Sequence, residues 1–132
     1  MLVISKEVQS AINQNQPIVA LESTIISHGL PRPTNLQVAQ EVEEIVRQNG
    51  AAAATIGVIA GKVHVGLEPD QLELIANAND VVKASVRDLA IVQTLKQSAA
   101  TTVSATAHIA HLAGIKVFAT GGLGGVHRGQ NY

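Results

Sequence analysis

Glu22 closes the apolar run Pro17-Ile18-Val19-Ala20-Leu21 and is followed by Ser23-Thr24. Such a run reads as a buried strand feeding a polar loop. A carboxylate at the carboxyl end of that strand can act as a general acid when its surroundings raise its pKa, and an ordinary solvated carboxylate suits the same position. Lys83 follows Val81-Val82 in a second apolar run. A lysine in a strand covered on both faces is rarely fully buried, so it belongs at the strand's end, carrying its ammonium to water or to an anion. Thr101, Thr102 and Val103 open a segment of small residues. The start of a helix offers free backbone N–H groups and a positive dipole end, and threonine hydroxyls add donors. If strands over 81–84 and 115–119 bracket that helix, Lys83 and the turn at 101–103 converge on one phosphate. Plain N-capping accounts for the two threonines equally well.

Other constellations fall away. Gly122-Leu123-Gly124-Gly125-Val126-His127 puts His127 where a dinucleotide-binding loop needs its third glycine, and the acidic partner some twenty residues on would lie past Tyr132. These glycines instead let the backbone approach a ligand or adopt positive φ. His108 and His111 are three apart on one helix, yet that helix is otherwise apolar and has no carboxylate nearby, so packing in the interior or at its rim is the expectation. His64 falls on a strand, whereas His28 and His127 fall in loops and are freer to act. There is no G-x-S-x-G elbow and no P-loop. The absence of cysteine excludes disulfides, thiolate metal sites and cysteine catalysis.

The elements that must position these groups alternate. Residues 5–15 have helical periodicity, with Ser5 as a cap. A strand over 17–21 follows, and Gly29, Pro31 and Pro33 keep the next stretch irregular. Thr34 and Asn35 are candidate caps for a helix running to Arg47, in which Glu43 can pair with Arg47. Residues 54–59 and 62–67 flank Ala60-Gly61 as a β-hairpin. Pro69 suits the first turn of a helix to about Ala78. A strand over 81–84 leads into Ser85-Val86-Arg87-Asp88, a capping-box spacing with Asp in place of the preferred Glu or Gln, and a helix over 86–96. Thr101-Thr102 open a helix to Ala113, and 115–119 form a last strand running into the glycines. Alternating strands and helices predict an α/β fold: an α-β-α sandwich with a largely parallel central sheet plus the hairpin, incomplete at its C-terminal side.

Composition limits the rest. In 132 residues the aromatic side chains are Phe118 and Tyr132 alone, so Ala, Val, Ile and Leu must build the core of one small domain. Nine Lys and Arg against ten Asp and Glu leave a net charge of −1, which makes no electrostatic case for nucleic acid or an anionic membrane as partner. Met1–Glu7 is too short an apolar run for a signal peptide, and no apolar stretch is long enough to span a bilayer, so a cytoplasmic location is expected.

Several strings, taken in order, have a family likeness. They are Val19-Ala20-Leu21-Glu22-Ser23-Thr24-Ile25-Ile26-Ser27-His28-Gly29, then Gly50-Ala51 through Ala54-Thr55-Ile56, then Lys83-Ala84-Ser85-Val86-Arg87-Asp88-Leu89, and finally Thr101-Thr102-Val103 through Gly121-Gly122-Leu123-Gly124-Gly125-Val126-His127-Arg128-Gly129. Together they resemble the pseudouridine-5'-phosphate glycosidases, also called the indigoidine synthase A-like family, over nearly the whole chain. Residues 1–132 then correspond to the N-terminal part of a single glycosidase domain. The resemblance implies an α-β-α fold, a homotrimer, a divalent metal (usually Mn2+), and reversible cleavage of pseudouridine 5'-phosphate with water to uracil and ribose 5-phosphate. It implies Glu22 as proton donor, Lys83 as phosphate contact, and Thr102, Val103 and His127 as lining of the substrate site. The family's reaction is proposed to pass through ring-opened ribose held as a Schiff base on a lysine, a covalent route suited to a carbon leaving group. That lysine and the metal-binding aspartate lie beyond the G-G-V-H-R-G string in the family and have no counterpart in Gln130-Asn131-Tyr132. The chain alone is therefore expected to be inactive. A non-catalytic remnant that binds ribose phosphate and one half of a split enzyme are the alternatives.

Overall fold

Eight apolar and small residues make β3 (Ala52–Ile59) the strand around which the sheet is organised. The structure, a computed structural model, describes residues 1–124. In chain order they form β1 (Leu2–Ile4), α1 (Lys6–Asn13), β2 (Ile18–Leu21), a π-helical turn (Ile25–Gly29), α2 (Thr34–Gln48), β3, β4 (Lys62–Val65), α3 (Pro69–Asn77), β5 (Val82–Ala84), a 3-10 turn (Val86–Asp88), α4 (Leu89–Thr94), β6 (Ala99–Thr101), α5 (Val103–Leu112) and β7 (Val117–Ala119).

The sheet runs β1-β4-β3-β2-β7, with β6 and β5 branching from β3. Four pairings are parallel (β1 with β4, β2 with β3, β2 with β7, β5 with β6) and two are antiparallel (β3 with β4, β3 with β6). The two ends of β3 serve different partners. Ala52–Thr55 pair with β2, whereas Gly57 and Val58 pair with β6. On the other edge Ile56–Ile59 pair with β4 through the expected hairpin, whose Ala60 and Gly61 both take positive φ, as a two-residue turn of this hand requires.

Successive β3 side chains alternate between faces. Ala54, Ile56 and Val58 pack with Val8 of α1, Leu89 and Val92 of α4, and Ala105 and Ile109 of α5. Ala39 of α2, Leu72, Ile75 and Ala76 of α3, Leu67 and Ala100 form a second cluster. Helices thus cover both faces of a mostly parallel sheet, the arrangement expected from the sequence. Strand β7 ends the strand order, and its Val117 is exposed.

Helix ends follow the sequence in part. Ser5 Oγ accepts from the Val8 amide at 3.2 Å and caps α1. The Ser85 amide donates to Asp88 Oδ2 at 2.9 Å, so aspartate does complete the capping box, although a 3-10 turn precedes α4 there. Thr34 and Asn35 do not cap α2. Pro33 occupies the cap position, and buried Asn35 uses its amide to donate to the carbonyls of Ile26 and Ala76, tying α2 to the π-helical turn and to α3. The expected Glu43–Arg47 pair forms at 3.1 Å and extends to Glu7 of α1, whose carboxylate also accepts from the Ala53 amide. Two strands, β1 and β6, arise where the sequence suggested none. Each is only three residues long, and β6 is Ala-Ala-Thr, a composition with little intrinsic strand preference. No helix among the described residues is long and apolar enough to cross a membrane.

Candidate functional site

The carboxyl ends of β2 and β6 meet on one edge of β3. Strand β2 runs parallel to β3 and stops at Leu21 opposite Thr55, while β6 runs antiparallel and arrives with Ala100 opposite Gly57. The Ile56 carbonyl lies in the gap between the two registers. Glu22 leaves one strand there and Thr102 leaves the other, so two groups eighty residues apart in sequence flank one point of the sheet.

Glu22 is half-buried at the mouth of a cleft of about 300 Å³. Leu21, Ile25, Ile26 and Leu30 form one wall, Val38, Ala39 and Val42 of α2 another, and Ala119, Thr120 and Gly121 a third. Polar groups in this lining are few: Glu22, Asn35, Thr55 and Thr120. The Thr120 hydroxyl donates to Glu22 Oε1, and Thr120 Oγ1 accepts from the Gly122 amide at 3.3 Å. Thr120 therefore orients the carboxyl and fixes the first turn of the glycine loop. Sequence reasoning passed over it, although its place between the last strand and the glycines was a visible signal.

Thr102 sits at the cap position of α5, but its side chain caps no amide of that helix. Its N–H donates to the Ala84 carbonyl at 3.0 Å, and its hydroxyl lies 3.2 Å from Ser104 Oγ and 3.5 Å from Ser85 Oγ. The first-turn amides of α5, beginning at Val103, thus point out of the carboxyl end of β6 beside the end of β5. Thr101 differs from expectation. It is the last residue of β6 rather than a helix residue, and it is fully buried and cannot donate to a ligand.

Lys83 is exposed in β5, paired with Ala100 and one residue short of the strand's end. Neighbouring Ala84 packs with the α5 cluster and Ala100 with the α3 cluster, so Lys83 leaves the sheet on the face away from α5. Among the described residues it makes no ion pair or hydrogen bond to Glu22, Thr102 or Val103. Its long side chain must carry the ammonium around to the carboxyl edge if the two are to meet. His127 lies outside the described residues. His28 is exposed on the π-helical turn, and His64 is buried on β4. His108 and His111 are exposed on α5 rather than packed within the interior or at its rim. Among the described residues no group of three or more His, Cys, Asp or Glu could hold a metal ion. The side chains around Glu22 do not fit Mn2+, and no described residue is assigned to it.

Comparison with known proteins places the chain in one family. Residues 7–132 match the sequence profile of the family described as Indigoidine synthase A like protein. Proteins named pseudouridine-5'-phosphate glycosidase are similar from Thermosipho africanus (58% identical over 129 residues) and from Caldanaerobacter subterraneus (56% over 126). The matches cover 98% and 96% of this chain but 44% and 41% of those proteins. The chain thus spans about two fifths of the length of the curated relatives it matches. Among solved structures, an indigoidine synthase A-like protein from Thermotoga maritima superposes with a TM-score of 0.87 at 34% identity, covering 100% of this chain and 43% of that one. A prealnumycin C-glycosynthase in complex with ribulose 5-phosphate superposes at 0.84 and 40% identity, covering 97% and 41%.

Proposed function

The chain belongs to the indigoidine synthase A-like family, and on that premise we propose that it supplies the proton-donor and phosphate-binding side of a site that cleaves pseudouridine 5'-phosphate to uracil and ribose 5-phosphate. The observation that supports this reading is the meeting of the carboxyl ends of β2 and β6, where Ser23 and Thr24, which follow Glu22, bond to Thr101, which precedes Thr102. In the reaction the bond between the base carbon and ribose C1' breaks, the base carbon gains a proton, and C1' gains the hydroxyl of water. The reverse reaction uses the same groups. Glu22 is the proton donor. The half-buried carboxyl, oriented by Thr120, opens onto an apolar cleft that would receive a planar base. The amides at the start of α5, the Thr102 hydroxyl and the Lys83 ammonium bind the phosphate, with Val103 lining the sugar and His127 joining them. The ribulose 5-phosphate bound by the C-glycosynthase relative favours a sugar phosphate as ligand.

The nucleophilic lysine, the Mn2+ site and a homotrimeric assembly belong to the same reading. The lysine and the metal aspartate are assigned to the part of the relatives' length that this chain does not span, so the chain by itself is not expected to turn over.

Two measurements test the proposal. Ribose 5-phosphate titrated into the 15N-labelled chain is expected to shift the amides of Lys83, Thr102 and Val103, and unshifted amides at saturating sugar phosphate would refute the phosphate assignment. Uracil release from pseudouridine 5'-phosphate with Mn2+ is expected only when the chain is joined to the remaining part of a longer relative, and is expected to be lost in Glu22→Gln. Release undiminished by that change would refute Glu22 as donor.

A further inference from the structure

Three hydroxyls join the two strand ends that carry the site. Ser23, Thr101 and Thr106 are each 0% exposed. Ser23 Oγ donates to the Ile56 carbonyl at 2.6 Å, and Thr101 Oγ1 donates to the same carbonyl at 2.7 Å. The Thr101 amide, which has lost its strand partner at the gap, donates to Ser23 Oγ at 2.8 Å. Thr106, one turn into α5, donates to Thr101 Oγ1 at 2.9 Å, and Thr24 Oγ1 donates to the Thr101 carbonyl at 2.8 Å. The backbone ladder is interrupted here because β2 and β6 both end at this point, β2 opposite Thr55 and β6 opposite Gly57. The hydroxyls take over the backbone groups that the interruption leaves bare, which would otherwise be buried and unsatisfied.

The geometry points to Ser23, Thr101 and Thr106 as positioning residues that form a latch between β2 and β6. Ser23 is bonded covalently to Glu22, and Thr101 to Thr102. Every hydrogen bond of the latch therefore constrains the separation between the proton donor and the phosphate-binding turn. No apolar trio of equal volume would do this, because dispersion contacts fill space without fixing direction, whereas the two bonds to one carbonyl and the bond from one amide each have a preferred angle. A second consequence concerns α5: Thr106 makes the latch sense the seating of that helix, so the helix start and the strand end move as one body. The assignment rests on the function proposed above, since the latch matters to catalysis only if Glu22 and Thr102 act on one ligand.

The test uses Thr106→Val, which keeps the volume and removes the donor, Thr106→Ser, which keeps the donor, and Ser23→Ala. Neither Ser23 nor Thr106 lines the cleft, and both side chains are fully buried. Each variant is checked for an unchanged circular dichroism spectrum, and Thr106→Val stands alone if Ser23→Ala does not fold. Ribose 5-phosphate affinity is expected to fall roughly tenfold in Thr106→Val, the scale of a buried hydrogen-bond group left unpaired, and to return in Thr106→Ser. The proposal is overturned if Thr106→Val binds as tightly as the wild type, or if Thr106→Ser fails to restore binding. If the wild-type chain binds no ribose 5-phosphate, the proposed function falls. Residual dipolar couplings then decide the latch by themselves: a changed angle between α5 and the turn at 24–29 in Thr106→Val sustains it, and an unchanged angle overturns it.

Discussion

Replacing Thr55 with valine should destabilise the fold by about 2 kcal/mol, because it strips a hydroxyl from a buried carboxylate. Glu43 is 6% exposed on α2. Its Oε1 accepts from Thr55 Oγ1 at 2.5 Å, and its Oε2 accepts from Arg47 at 3.1 Å. The first distance is in the range of hydrogen bonds to an ionised acceptor, and losing such a bond costs about 1.5–3 kcal/mol. Valine keeps the branched shape, so little cavity is added, and Arg47 still holds the second oxygen. Over 132 residues an unfolding entropy of about 2.1 cal/mol/K per residue makes each kcal/mol worth about 3.6 °C, so Tm should fall by about 7 °C. Thermal and urea unfolding of Thr55→Val, Glu43→Leu and the double variant form a cycle that isolates the pair. If Thr55→Val melts within about 1 °C of the wild type, or if the two changes add without coupling, the carboxylate does not depend on this hydroxyl and the reasoning fails.

Gly66 takes φ +83°, and a Cβ there would come within 2.2 Å of Ser5 Oγ, the cap of α1. Gly66→Ala should lower stability by about 1–3 kcal/mol, read as a drop in urea midpoint, and an unchanged midpoint would contradict the close approach. Burial, followed by the charge of Lys62, holds the His64 imidazole below its usual 6.5. The folded state therefore binds protons less readily than the unfolded chain. The stabilisation is complete above 6.5 and declines as pH falls through the folded value, and His64→Leu should flatten the melting temperature across that window. Burial opposes ionisation of Glu7, but hydrogen bonds from Arg47 and the Ala53 amide outweigh it and leave the carboxyl below 4.5. That contribution is present above 4.5 and lost as pH falls through the folded value, so Glu7→Gln should lessen the acid sensitivity of unfolding; an identical acid transition would count against the pair.

Much of this molecule can be read along the chain because the relevant physics is local. The hairpin turn at Ala60-Gly61, the start of α3 at Pro69, the box at Ser85–Asp88 and the i, i+4 pair of Glu43 and Arg47 each depend on a few consecutive residues. The alternation of apolar runs with helical periods was enough to give a mostly parallel sheet between helices, and it put Glu22 at a strand end and Thr102 and Val103 at a helix start as candidates. The same local reasoning misassigned Asn35 and Thr101. Each has a side chain suited to a helix cap, and each instead satisfies backbone groups far away in sequence, at Ala76 and at Ile56.

The sequence by itself determined the fold class and most element boundaries, because periodicity and capping act over a few residues. Only the tertiary structure decided that β3 splits its edge between a parallel and an antiparallel partner, that β1 and β6 exist, and that Lys83 leaves the sheet on the face away from α5. Short strands of weak intrinsic preference form when a neighbouring strand supplies their hydrogen bonds. The facing of a side chain depends on a register that no local pattern in a three-residue strand can fix. The latch at Ser23, Thr101 and Thr106 has the same origin: it exists because two strands stop at one carbonyl, a coincidence of register across more than seventy residues.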